Sequence, residues 1–240
     1  IPLRSAPRVQ GGRVYVISID NTTYALDSAN GQTVWLHRGI TEVAGLMNTL
    51  SPALVADMVI TPYSSGELYA LKQDNGDEVW RQSLTLANRT SATAVFSGIG
   101  GDPVADGSVV FAISSSGLMS VYNILNGQPL WEQRIASLNT PWVVGDYVYV
   151  ISDDNVLMAM RKYDGRIRWT TSLARFGDEK RKLYPIIWRG PVVASGMVLV
   201  VSSSGEMLKI DAATGETRET VDVPDDIFTA PIVAGGAAYV

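Results

Sequence analysis

The stretch YALDSANGQTVW, Tyr24 to Trp35, places an Asn-Gly step just ahead of a tryptophan, with three residues between glycine and indole. It is not alone. YALKQDNGDEVW ends at Trp80, VYNILNGQPLW at Trp131 and MAMRKYDGRIRW at Trp169, while LKIDAATGETRE carries Glu219 in the tryptophan's place. A recurring period is the first thing to establish, because it decides the fold.

Working outward, each turn glycine (Gly31, Gly76, Gly127, Gly165, Gly215) lies 24 residues after a proline: Pro7, Pro52, Pro103, Pro141, Pro191. Asn21, Gly66, Gly117, Asn155 and Gly205 stand 10 residues before those glycines. Each repeat therefore reads proline, Asn or Gly at +14, Gly at +24 and, in four of five, Trp at +28. A sixth begins at Pro231. Successive prolines are 45, 51, 38, 50 and 40 residues apart, and all the variation falls between +28 and the next proline. Constant cores with variable connectors are the mark of stacked supersecondary units.

The cores read as strands. VYVIS at 14–18, VVFAIS at 109–114, YVYVIS at 147–152 and MVLVVS at 197–202 are β-branched and aromatic, and nearly continuously apolar, as in sheets covered on both faces. Asn and Gly at +14 and +24 supply the positive φ of tight hairpin turns. Two such turns give three antiparallel strands, and a strand across the proline makes four. Four-stranded repeats of this length are β-propeller blades. The expected fold is all-β: one propeller domain over 1–240, with five blades and the start of a sixth. That count does not obviously close a ring, so residues missing on one or both sides are expected. Trp35, Trp80, Trp131 and Trp169 are expected on outer strands, filling the wedge between neighbouring blades. Glu219 implies a fifth seam filled by another side chain or left more exposed.

Composition narrows the function. The chain is 46% apolar, yet no apolar run reaches the length of a transmembrane helix. A net charge of −5 and a pI of 4.9 argue against nucleic acid as the main partner. There is no cysteine, hence no disulfide or thiolate metal site within these residues. The stretch from Arg161 to Arg189 holds nine of the nineteen basic residues. It reads as a solvated connector or as a patch for an acidic partner or lipid headgroup. No catalytic constellation is found. His37 is the sole histidine and has no nucleophile motif beside it. SDDN at 152–155 has the composition of a calcium loop but occupies a hairpin turn, where Asp and Asn serve the backbone. SSSG at 114–117 and 202–205 is turn sequence, and GIGG at 98–101 lacks dinucleotide-loop spacing. No metal and no cofactor are expected.

The ALDxxxGxxxW repeat resembles that of pyrroloquinoline-quinone-type propellers. More narrowly, the whole chain is similar to the BamB family of outer-membrane protein assembly factors, including the order of its medium, long and short connectors. The resemblance implies an eight-bladed periplasmic propeller, tethered to the outer membrane through a lipidated N-terminal cysteine that these residues do not include. It implies a non-enzymatic scaffold that binds the periplasmic domains of BamA, and unfolded outer-membrane proteins as further partners. Two connectors carry the family's contacts. In EVAGLMNTLSP, Leu46 matches the second leucine of a Leu-x-Leu-Arg pattern, whereas Ala44 and Met47 replace its first leucine and its arginine. In SGIGGDP, Gly98 and Gly100 occupy acidic positions around Ile99, and Asp102 is the only nearby acid. The implied partner-binding residues are Leu46, Met47, Asn48, Gly98, Ile99 and Asp102; the same residues also read as loops packing on their own blade. The alternative family reading is a fragment of a quinone-dependent alcohol or sugar dehydrogenase.

Overall fold

The computed structural model describes residues 2–40, 49–85, 98–223 and 227–240. Every regular element among them is a β-strand. The chain gathers into two compact bodies, Ile1–Leu138 and Asn139–Val240.

The first body holds three blades. Strands β1 (Arg8–Gln10), β2 (Arg13–Ile17), β3 (Thr22–Asp27) and β4 (Thr33–Arg38) form the first, paired in chain order. The second is β5 (Ala53–Val55), β6 (Met58–Pro62), β7 (Glu67–Lys72) and β8 (Glu78–Ser83). The third is β9 (Val104–Asp106), β10 (Val109–Ile113), β11 (Met119–Asn123) and β12 (Pro129–Gln133).

The second body opens with β13 (Trp142–Val144), β14 (Tyr147–Ile151), β15 (Val156–Arg161) and β16 (Ile167–Ser172). A two-stranded ribbon follows, β17 (Phe176–Asp178) with β18 (Leu183–Pro185). The fifth blade is β19 (Trp188–Ala194), β20 (Met197–Ser202), β21 (Glu206–Asp211) and β22 (Thr217–Asp222). Strands β23 (Ile232–Ala234) and β24 (Ala237–Tyr239) form a final pair. All named pairings are antiparallel.

Three features of the repeat lie outside the sequence expectation. First, each blade has a third tight turn. Gln10 pairs with Arg13 and Val55 with Met58, leaving the two-residue loops Gly11-Gly12 and Ala56-Asp57. Glycine serves most of these loops, but Ala56 and Ser195 enter the left-handed region at φ 51° and 49°. Second, a serine at +11 closes the +14 turn. Ser18, Ser114, Ser152 and Ser202 each accept, through Oγ, the N–H of the residue four positions on, at 3.0–3.3 Å. In the second blade Tyr63 holds this place. Third, every blade carries a register slip directly after residue +18: Ala25, Ala70, Val121, Ala159, Lys209. Those residues lie opposite the +28 residues. A bulge bends its strand and re-aims side chains, and a small partner leaves space for an indole.

The core lies at the seams between consecutive blades. Tyr15, Ile17, Ala25 and Trp35 pack with Val59, Tyr63, Tyr69 and Leu71. Ile60, Leu68, Trp80 and Ile99 pack with Val110, Ala112 and Tyr122. In the second body Tyr149, Ile151 and Ala159 pack with Val198, Val200 and Ile210. Strands β6 and β10 are buried along their whole length, as the unbroken apolar runs predict.

Candidate partner-docking site

Loops bind partners only as well as their scaffold holds them, so the seams come first. Each visible seam is fastened the same way. The indole of one blade lies against the turn glycine of the next, not of its own. A Cβ on Gly76 would stand 2.7 Å from the Trp35 ring, one on Gly127 2.7 Å from Trp80, and one on Gly215 2.6 Å from Trp169. The indole N–H donates to the carbonyl three residues before that glycine: Trp35 to Gln73 (2.9 Å), Trp80 to Ile124 (2.7 Å), Trp169 to Ala212 (3.1 Å). Only glycine adopts this turn and leaves the ring its place. Tyr15 and Tyr149 hydroxyls donate to the same carbonyls as Trp35 and Trp169, at 3.4 and 3.1 Å. Trp131 meets Phe111 edge-on within its own blade, with centroids 6.3 Å apart. At the fifth blade the small-residue and indole pair is replaced by Lys209 opposite Glu219, joined at 2.8 Å on the surface.

The connectors arrive at the opposite end of the blades, at the +14 turns. Of the six residues implied as partner contacts, Leu46, Met47 and Asn48 lie outside the described residues. The other three are firmly built in. Ile99 forms a bridge with Ser114 and is fully buried among Leu84, Leu50 and Val110. Its side chain is part of the core cluster of this body. Gly98 accepts the Ser115 N–H at 3.0 Å, and a Cβ on it would lie 2.7 Å from the Ser64 carbonyl oxygen. Gly100 donates to Ile113 at 2.8 Å, and its Cβ would fall 1.8 Å from the Ser137 carbonyl oxygen. At neither glycine does a side chain fit unless the neighbouring backbone moves.

Asp102 ties three segments together. Its Oδ1 accepts the Ser51 N–H at 2.8 Å, and its Oδ2 meets Arg8 at 3.2 Å. Burial pushes its carboxyl above the usual range, outweighing the Ser51 bond and the half-exposed Arg8 that pull the other way. Across the first seam, Asn21 Nδ2 donates to Ser64 Oγ (2.9 Å) and to the Ile40 carbonyl (2.8 Å). Beneath it lies a polar cluster. Tyr63 Oη is 2.8 Å from His37 Nδ1 and 3.0 Å from Thr23 Oγ1, and Thr23 meets Thr61 at 2.6 Å. His37 also packs on Tyr69, with centroids 4.8 Å apart. Burial lowers the His37 pKa against the pull of Glu78 and Glu67, and burial raises that of Tyr63. Gly39 makes room for the Tyr63 ring, since a Cβ there would lie 2.3 Å from it. This cluster had a faint signal in the sequence: Tyr63 breaks the serine pattern at +11.

The basic stretch Arg161–Arg189 is not one patch. Arg161 and Arg166 share Asp164 at the Gly165 turn, and Arg168 bonds the Tyr147 hydroxyl there. At the other end of β16, Arg175 pairs with Asp154 of the β14–β15 turn, and Arg181 with Asp178 on the ribbon. Six extended residues, about 20 Å, separate the groups. Among the described residues no three His, Cys, Asp or Glu side chains gather into a metal-holding group.

Comparison with known proteins agrees with this geometry. A family model described as outer membrane protein assembly factor BamB matches residues 2–171 and 175–240. The outer membrane protein assembly factor BamB of Moranella endobia is 28% identical, over 86% of this chain and 51% of its own length. The crystal structure of BamB from Moraxella catarrhalis superposes with a TM-score of 0.81 at 21% identity, covering 95% of this chain and 66% of that one. A europium-containing methanol dehydrogenase superposes at 0.71 with 15% identity, over 92% and 51%. The fold is thus a β-propeller of four-stranded antiparallel blades. The chain spans roughly half the length of the curated relatives it matches.

Proposed function

We propose that this chain, which belongs to the outer membrane protein assembly factor BamB family, is a non-enzymatic scaffold that docks the periplasmic domains of BamA and assists the insertion of outer-membrane proteins. It acts in the periplasm at the inner face of the outer membrane. The family match over nearly the whole chain carries this reading. The geometry supports it: blades locked at their seams hold the connectors in fixed places, and binding loops on rigid scaffolds are the common arrangement. We place the apolar contact at Leu46 and Met47, with Asn48 beside them. Gly98, Ile99 and Asp102 hold the neighbouring connector in position.

Binding of the purified BamA periplasmic domains to the immobilised chain tests this. Leu46→Asp and Met47→Asp are each expected to weaken binding by about tenfold or more, the scale of a good interface anchor. Wild-type-like binding by both would remove this surface. No binding by the parent chain would overturn the scaffold reading. The dehydrogenase reading rests on a shared fold alone, at 15% identity or less.

A further inference from the structure

The ribbon of β17 and β18 belongs to no blade. Among the described residues it has two ladder pairs, Phe176 with Pro185 and Asp178 with Leu183, and joins no third strand. An isolated two-stranded ribbon is marginal in water, yet its composition does nothing to hide it. Tyr184 is 75% exposed and Leu183 44% exposed. Tyr184 also holds a left-handed backbone, φ 59°, and so does Lys182 at 54°. A bulky residue in that region is strained, and strain of this kind gathers where a side chain must be aimed.

The charges are sorted. Both acids of the ribbon are engaged by neighbouring groups. Asp178 accepts the Arg181 N–H at 3.0 Å and pairs with its guanidinium at 3.5 Å. Glu179 caps the N–H groups of Arg175 (2.8 Å) and Phe176 (3.2 Å). Lys180 and Lys182 are exposed and form no ion pair among the described residues. On a chain of net charge −5, this tip offers outward cations beside an exposed tyrosine and leucine.

We propose that the β17–β18 ribbon is a contact for a bilayer surface carrying anionic phospholipid. Tyrosine with lysine is the composition of membrane interfaces: the ring settles at headgroup level, and lysine stems lie along it while their ammonium groups reach phosphate. An acidic peptide would answer the two lysines but leave Tyr184 and Leu183 in water, whereas a bilayer interface takes up all four. The inference is independent of any binding to BamA.

Co-sedimentation of the chain with phosphatidylglycerol-containing vesicles and with pure phosphatidylcholine vesicles tests it, at about 10 mM salt where screening reaches about 30 Å. Binding to the anionic vesicles alone is expected, reversed by added salt. Lys180→Gln with Lys182→Gln should weaken it about thirtyfold, five- to sixfold per lysine. Tyr184→Ser should weaken it severalfold and leave the salt dependence unchanged. Arg166→Gln, at the other end of the blade, should bind as the parent does. Equal sedimentation with both vesicles, none with either, or undiminished binding by the double lysine variant would overturn the proposal. So would capture of poly-glutamate without vesicle binding, which would make the ribbon a protein-docking surface.

Discussion

Trp35 and Gly76 are a single fitting made from two residues 41 positions apart in the chain. Gly31 has the same left-handed backbone, φ 72° against 78°, but nothing within 4 Å of its would-be Cβ. The pair of glycines therefore separates backbone cost from packing cost. Gly31→Ala should lower stability by about 1 kcal/mol, the left-handed term alone. Gly76→Ala should add about 1–3 kcal/mol of overpacking against the indole. In a Trp35→Ala background, itself costing about 3–5 kcal/mol, the Gly76→Ala cost should fall to the Gly31→Ala value. Urea unfolding of the four variants measures the coupling; additive costs would show that ring and turn do not sense each other.

His37 gives the second residue-level prediction. Its folded pKa lies below the ordinary 6.5 because burial disfavours the imidazolium. The unfolded chain thus binds the proton more readily. The seam's contribution is complete above pH 6.5, is lost as pH falls below that value, and levels off beneath the folded pKa. The groups around the ring are Tyr63, Tyr69, Glu67 and Glu78. His37→Gln should flatten this part of the stability–pH curve, read from chemical denaturation between pH 7.5 and about 5. An unchanged slope would place the titration elsewhere.

Among the elements, the connectors are where the sequence was least readable. The resemblance implies acids where Gly98 and Gly100 stand, and read from sequence the glycines are a lost charge. The structure shows a steric demand: the Ser137 carbonyl occupies the space of a Gly100 side chain. Restoring the acid by Gly100→Asp should destabilise the chain by about 3 kcal/mol or more, through overpacking and a carboxylate forced against a carbonyl. The midpoint of thermal unfolding checks this, and a neutral outcome would mean that the connector seats differently. The β17–β18 ribbon was equally hidden. Its strands, Phe-Gly-Asp and Leu-Tyr-Pro, are three residues long, too short for any alternation to announce them. The first turn of each blade was missed because its glycine is not constant: Ala56 and Ser195 take the left-handed place that Gly11, Gly107 and Gly145 take elsewhere. The bulge after +18 was legible in retrospect in three blades, as an alanine ten positions ahead of Trp35, Trp80 and Trp169.

At the scale of the whole molecule, spacing alone carried the architecture. Turn glycines at fixed distances from prolines demanded equal strands, and unbroken apolar runs demanded cover on both faces. The partner could not be read this way, because it depends on loop surfaces that periodicity does not constrain. Two bulk properties follow. Far-ultraviolet circular dichroism should show a β spectrum without the helical double minimum, since the described residues hold no helix. Solubility should pass through a minimum near the pI of 4.9, where self-repulsion vanishes. Turbidity against pH measures it, and a minimum well away from that pH would contradict the charge inventory.

The indole lock has a direction. One side of a blade carries the hook and the other the eye, and hooks and eyes are interchangeable among the blades whose seams are seen. Nothing in that chemistry tells the second blade from the fourth. As far as the indole joint goes, neighbours are chosen by the covalent thread, and duplicating or excising a blade would redraw only what is particular to a seam, such as the Tyr63 and His37 cluster of the first.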